Sequence, residues 1–350
     1  MPTANIAQEL DQLTQQVKSA SLPEDLTETI FLRISQLTKL TDSVAFLPEF
    51  DRLNKYIAWI ISLPWQKTTQ DVLDLAHAKE ILDKNHHGLE EIKTRILEYV
   101  AVMKLKSEKG ESGELMRAPI LCFVGLVGTG KTTIAYSIAE ALGRRFARIP
   151  FGGMGDPLDL RGQSRMHPEA EPGKVIKALR MTQSKNSVIL LDEIDRVTDE
   201  GRASVMGVLV ELLDPEQNKA FVDHYVDYPF DLSQVLFIAT ANNTTNIATA
   251  VLDRLEPIAM PSYSDQEKIE IGRGYLLPRA LAEAGLNEKS ISFADTIWPQ
   301  IVRPLGFDAG IRTLKRNIEG VVRKGAKEIV ESKVQSVKIS PENIKNYIPQ

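Results

Sequence analysis

Residues Gly125-Leu126-Val127-Gly128-Thr129-Gly130-Lys131-Thr132 decide the fold. They follow an apolar run, Pro119–Val124, and open a stretch with helical spacing over 131–142. A glycine loop in that setting turns backbone N–H groups towards phosphate oxygens, and the helix N-terminus adds a favourable dipole. Lys131 is expected to neutralise the β- and γ-phosphates and Thr132 to ligate Mg²⁺ through its hydroxyl. Gly125, Leu126, Val127, Gly128, Thr129, Gly130 and Thr133 complete the nucleotide-binding stretch. A chance glycine loop is the plain alternative, and an acidic strand downstream counts against it. That strand, Val188-Ile189-Leu190-Leu191, ends in Asp192-Glu193. Asp192 is expected to hold magnesium through a water, and Glu193 to polarise an attacking water. ATP and Mg²⁺ are the cofactors implied.

Outward from this loop, strands and helices alternate. Strands are expected at 119–124, 146–150, 187–191 and 234–239, and helices at 131–142, 172–183 and 202–213. This is the pattern of a parallel sheet covered by helices, a three-layer α/β/α architecture. Upstream, Ile6, Leu10, Leu13 and Val17 recur at helical spacing. Pro23 breaks that segment, and further helices are expected over Leu26–Leu40 and Glu49–Leu63, the last ended by Pro64-Trp65. These amphipathic helices form either a helical subdomain or a partner-binding coiled coil. Leu73–Leu82 and Leu89–Lys106 read as helices, and Ser107–Gly113 as a polar loop. From about Ser262 the strands are expected to stop, leaving helices over 264–285, 293–303 and 309–332 and a short strand at 336–340. The domains are therefore an N-terminal helical segment (1–70), an α/β nucleotide-binding domain (71–261) and a small helical lid (262–350).

Composition excludes several classes. Hydrophobic residues make up 43% and charged residues 25% of the 350, the balance of an ordinary soluble protein. A net charge of −5 and the lack of a basic stripe argue against nucleic acid. No apolar run reaches the length of a bilayer, and Met1-Pro2-Thr3-Ala4-Asn5 does not open a secretory signal. Cys122 is the single cysteine; it fits a reducing compartment and reads as a buried structural thiol. A cytoplasmic location is expected. Asn242, past the strand Val235–Ala239, reads equally as a turn cap or as a hydrogen-bonding group for water or the γ-phosphate. Arg254 and Arg312, taken alone, read as solvated arginines. Asp195 reads as a salt-bridging residue at a helix start.

In order, these residues resemble the AAA+ ATPase module of the Lon ATP-dependent proteases, over nearly the whole chain. The resemblance is carried by Leu63-Pro64-Trp65, His87-Gly88-Leu89-Glu90-Glu91-Ile92-Lys93, Leu213-Asp214-Pro215-Glu216-Gln217-Asn218, Asp223-His224-Tyr225 and Pro229-Phe230-Asp231-Leu232-Ser233. Asp253-Arg254 resembles the arginine-finger segment and Ala309-Gly310-Ile311-Arg312 the sensor-2 helix. The resemblance implies that Asn242 is the sensor-1 residue, that Arg254 reaches a neighbouring subunit's ATP, and that Arg312 contacts nucleotide from the lid. It implies a homo-oligomeric ring, a hexamer as in Lon. His87 stands where the family has an adenine-side tyrosine.

Two departures shape the expected function. The chain ends at Gln350, where Lon would continue into a serine–lysine peptidase, and serines such as Ser204 lack a partnering base, so no peptidase activity is expected. The first pore loop carries His167-Pro168-Glu169 in place of an aromatic-aliphatic-glycine triplet, and Asp199-Glu200-Gly201-Arg202-Ala203-Ser204 lacks the family's Gly-Asp-Pro pattern. Either these loops drifted and still move substrate, or they serve a particular partner. The expected function is an ATP-hydrolysing motor that remodels or unfolds proteins, or passes them to a peptidase on a separate chain. The alternatives are a nucleotide-dependent assembly or regulatory protein that does not thread substrate, and an excised ATPase portion of a longer Lon protease.

Overall fold

Strands at 120–124, 146–150, 188–192 and 236–241 and most of the longer helices fall where the hydrophobic spacing places them. A computed structural model describes residues 3–41, 43–109, 120–303 and 310–348. Residues 110–113 of the expected polar loop, Pro119 of the first strand and Ala309 of the sensor-2 motif lie outside the described residues. In chain order the helices and strands are α1 (Thr3–Ser19), α2 (Glu24–Thr38), α3 (Phe46–Ile61), α4 (Leu75–Asn85), α5 (Glu90–Glu108), β1 (Ile120–Val124), α6 (Lys131–Ala141), β2 (Phe146–Pro150), α7 (Leu158–Arg161), α8 (Lys174–Thr182), β3 (Val188–Asp192) and α9 (Arg202–Leu213). They continue with β4 (Phe221–Val222), β5 (Pro229–Phe230), β6 (Leu236–Ala241), α10 (Thr249–Leu252), β7 (Leu255–Ala259), α11 (Asp265–Ile271), α12 (Leu277–Glu283), β8 (Ile291–Phe293), α13 (Trp298–Val302), α14 (Arg312–Ser332), β9 (Val337–Ile339) and α15 (Ile344–Tyr347).

The chain gathers into two compact units: residues 1–73, 102–122 and 142–256 form one, and residues 74–101, 123–141 and 257–350 the other. The five-stranded sheet has the order β2-β3-β6-β1-β7, and β2, β3 and β6 lie within the first unit. β2 pairs parallel with β3, and β3 with β6. β3 and β6 are buried along their whole length, as a sheet covered on both faces requires. Ahead of it, α1, α2 and α3 pack on one another through Leu10, Leu13 and Val17, Leu26, Ile30 and Ile34, and Tyr56, Ile57 and Ile60. The Trp65 indole N–H donates to the Ile60 carbonyl at 2.8 Å, and its ring lies 4.9 Å from Phe230. The helical segment is thereby fastened to the small β4–β5 hairpin of its own unit. Cys122 is fully buried in β1, and burial, aided by the Asp195 charge, pushes its thiol up to about 12.

The second unit holds α4 against α6 and the lid helices around a core of Ile297, Trp298, Ile301, Leu314, Ile318, Val321 and Ile339. Here three expectations are corrected. Strands do not stop at Ser262, because β8 pairs parallel with β9, Ile291 opposite Val337. The helix over 264–285 is interrupted by a π-helical turn, Gly272–Leu276, where Gly272 lies so close to Trp298 that a Cβ would come 2.5 Å from its ring. The helix over 293–303 is split, its first residues forming β8's end and a 3₁₀ turn, Asp295–Ile297.

Candidate functional site

In the second unit the loop after β1 is held through its backbone carbonyls, which accept bonds from the loop's own side chains and from elsewhere in the unit. Gly128 and Gly130 sit at φ +85° and +98°, a region that residues with a Cβ rarely adopt. Thr129 Oγ1 donates to the Leu126 carbonyl at 2.9 Å, the Tyr263 hydroxyl to the Thr129 carbonyl at 3.2 Å, and the Ile311 N–H to the Gly128 carbonyl at 3.0 Å. Lys131 opens α6 and turns its ammonium back onto the loop, donating to the carbonyls of Gly125 at 2.5 Å and Leu126 at 3.0 Å. Thr132 is exposed in the first turn of α6, and the Thr133 hydroxyl donates to the Gly130 carbonyl at 2.8 Å. The opening N–H groups of a helix have no partner within it, so this turn is suited to an anion. The left-handed glycines, the lysine and the exposed hydroxyl fit a nucleotide phosphate with its magnesium.

Two further expected residues belong to this unit. Arg312 is the first residue of α14. Gly310 lets that helix start approach the loop, since a Cβ there would lie 2.5 Å from the Val127 carbonyl oxygen. A Cβ at Gly128 would in turn meet the Arg312 Cβ at 3.4 Å, so Arg312 stands beside the loop. His87 Nε2 lies 2.8 Å from Glu270 Oε2, and its ring is edge-on to Tyr275. Its neighbour His86 is buried, with Nε2 2.9 Å from the Ser137 hydroxyl of α6. Burial, reinforced by the Lys93 charge, pushes His86 down to about 4. His86 therefore anchors the segment that carries His87, a role that two adjacent histidines in a sequence do not reveal.

In the first unit the carboxylates end β3. Asp192 is 4% exposed and accepts from Arg148 through Nε at 2.6 Å and Nη2 at 2.5 Å, and from the Thr240 hydroxyl at 2.5 Å. The same Thr240 oxygen accepts the Glu193 N–H at 2.9 Å. One hydroxyl on β6 thus fixes both acidic residues. Glu193 adopts φ +57°, a strained position for a residue with a side chain, worth about 1 kcal/mol or more. Its Oε2 lies 3.7 Å from Arg196 Nη1. Asn242 directly follows β6, whose register with β3 sets Leu191 opposite Ala239, so Asn242 and Asp192 leave neighbouring strands at the same end. Asp195 departs from expectation: it is buried in the 3₁₀ turn Ile194–Arg196, forms no ion pair among the described residues, and leaves Oδ1 without a hydrogen bond.

Arg254 is held on its own unit. Nη2 donates to Asp214 Oδ2 and Nη1 to the Ala250 carbonyl, each at 2.7 Å. The loops at 163–172 and 199–204 also belong to this unit. Asp223, fully buried, accepts from the N–H groups of Gly173 at 2.7 Å, Tyr225 at 2.8 Å and Val226 at 3.0 Å. Burial pushes its carboxyl up, against the pull of those three bonds. The His224 N–H donates to the Arg161 carbonyl at 2.7 Å, and the Gln163 N–H to the Glu171 carbonyl at 3.1 Å. These bonds pin the base of the loop, while His167, Pro168 and Glu169 are exposed at its tip and Met166 is 80% exposed. In the second loop Asp199 pairs with Arg202 at the start of α9. Arg148 and Thr240, and the pairing of Asp214 with Arg254, have no local signature in the sequence, because the partners lie forty or more positions apart.

Residues 121–262 match the ATPase family associated with various cellular activities (AAA), and residues 282–338 the Lon protease AAA+ ATPase lid domain. The chain is 41% identical over 346 residues to "Lon protease 2" of Thermus thermophilus, covering 97% of this chain and 43% of that protein. It is 42% identical over 341 residues to "Lon protease" of Dictyoglomus thermophilum, covering 97% and 42%. It is 40% identical over 341 residues to "Lon protease 1" of Bacillus subtilis, covering 97% and 43%. The chain thus spans less than half the length of these relatives.

Proposed function

We propose that this chain, an AAA+ ATPase module of the Lon type, hydrolyses ATP within a ring of its own copies to remodel or unfold polypeptide. The observation that carries this reading is the loop Gly125–Thr132, with its two left-handed glycines and Lys131 at the head of an eleven-residue helix. Gly125, Leu126, Val127, Gly128, Thr129, Gly130, Lys131, Thr132 and Thr133 receive the phosphates, with His87 at the base. Thr132 and, through a water, Asp192 would hold magnesium, which would screen phosphate charge. Glu193 takes the proton of the attacking water, and Asn242 orients that water. Arg254 supplies positive charge to a neighbouring copy's nucleotide, and Arg312 contacts nucleotide from the lid. A trans-acting arginine favours a closed ring, with six copies as the proposed number. Among the described residues no helix is long and apolar enough to cross a membrane, and the proposed setting is the cytoplasm. The proposed division is 1–70, 71–261 and 262–350, with a separate peptidase as one recipient of the unfolded chain.

Glu193→Gln tests the assignment. ATP affinity should stay within about twofold while turnover falls about 100-fold or more, the contribution of a general base. Normal hydrolysis by that variant would remove Glu193 from the role. A second reading, a nucleotide-dependent assembly protein that does not thread substrate, is favoured by the exposed His167-Pro168-Glu169 tip. ATP-driven unfolding of a tagged fluorescent protein separates the two. Robust unfolding by the unaltered chain excludes the second reading, and unfolding only after His167→Tyr supports it.

A further inference from the structure

Arg254 is held by a carboxylate that is itself built into the fold. Asp214 caps the C-terminus of α9. Its Oδ1 accepts the N–H of Glu216 at 2.9 Å and of Gln217 at 3.3 Å, closing the turn that leaves the helix. Its Oδ2 accepts Arg254 Nη2 at 2.7 Å. The two oxygens therefore divide the work: one is locked to the backbone, and the other presents a charge in a fixed direction. On the arginine side, Nη1 is tied to the Ala250 carbonyl one turn earlier in the chain. A guanidinium has five N–H donors, so most of them stay available to a further acceptor. A free arginine side chain samples many rotamers, and ordering it costs entropy. Fixing it in advance removes that cost from the moment at which its charge is needed. The Arg254 bond also holds the Asp214 carboxyl below its ordinary range, so Asp214 is charged throughout the neutral pH region.

We propose that Asp214 is a positioning residue for Arg254, presenting its guanidinium in a set direction for the nucleotide of a neighbouring copy. This rests on the reading of Arg254 as the trans-acting arginine. The segment Leu213-Asp214-Pro215-Glu216-Gln217 thereby does two things at once: it ends a helix and, through one side chain, aims an arginine.

The test compares ATP turnover and ATP affinity in four forms of the full chain: unaltered, Asp214→Asn, Arg254→Ala, and both together. Asn keeps an oxygen for the Glu216 and Gln217 N–H groups and removes the charge. Asp214→Ser, which also keeps an acceptor at the turn, serves as a second variant should Asn fold poorly, with thermal melting as the check. Arg254→Ala is expected to lower kcat by about 10³. Asp214→Asn should lower kcat about tenfold with Kd for ATP unchanged, the loss of one charge-assisted bond. In the Arg254→Ala background Asp214→Asn should have no further effect. Unchanged kcat in Asp214→Asn, with Arg254→Ala strongly impaired, would overturn the positioning role and leave the arginine's role standing. An equal loss in both backgrounds would show that Asp214 acts only through the turn. Normal turnover by Arg254→Ala would overturn the reading of Arg254 itself, and the inference with it.

Discussion

The loops 125–132 and 163–172 are both closed by glycines at left-handed or crowded positions, yet they are held in opposite ways. In the first, the bonds run through the loop: the carbonyls of Gly125 and Leu126 hold Lys131, and the Thr129 hydroxyl holds the Leu126 carbonyl. The atoms that keep the shape belong to the residues proposed to bind phosphate. In the second, bonds on Asp223, Arg161 and Gly173 close the base, while the exposed tip keeps only its own turn bonds, from the His167 N–H to the Ser164 carbonyl and the Ala170 N–H to the His167 carbonyl, and a Ser164 side-chain contact. A loop whose chemistry is its frame resists substitution everywhere. A loop with a separate frame resists it only at the base.

The largest effect that bears on this contrast is Lys131→Ala. It removes both internal bonds and the charge proposed to bind phosphate, and ATP affinity should fall by about 1,000-fold, read by titration calorimetry. Retained affinity would break the identity of frame and chemistry. Next comes Gly173→Ala, in which the new Cβ overlaps the Leu160 carbonyl; stability to denaturant should drop by about 3 kcal/mol. Acid should then loosen the footing of the first loop. His86 is pushed down to about 4 from 6.5, so between those values the unfolded chain binds more protons than the folded one. Stability from this group is full above about pH 6.5 and is lost as pH falls, about 2 kcal/mol by pH 5. His86→Gln should flatten that slope, and an unchanged slope would place it elsewhere. Smallest is His167→Tyr at the exposed tip, expected to change stability by less than about 0.5 kcal/mol.

What was legible in the sequence had a local signature. The glycine loop with its lysine, the apolar run before Asp192, β2 and α9 are all written in contiguous residues. β7 was missed because Pro257 interrupts it, and it runs at the edge of the sheet, where a proline is tolerated. β8 was missed because three residues carry no usable period and its partner β9 follows only after α14. Arg148 and Thr240 look like ordinary strand residues. Their meaning comes from register, which sets Pro150 opposite Asp192 and so brings Arg148 within reach of its carboxylate. Asp214 and Arg254 carry no mutual signal across the residues between them. The resemblance to Lon supplied roles for Asn242, Arg254 and Arg312, but not the partners that hold them.

The base of the loop at 163–172 has a consequence for how such a protein changes over time. A single buried carboxylate, with the backbone bonds beside it, keeps the two ends of the segment together whatever lies between them. Closure is then a property of the socket and not of the insert. Residues at the tip can be exchanged one for another as in a cassette, altering what the surface meets while the folding of the unit stays the same.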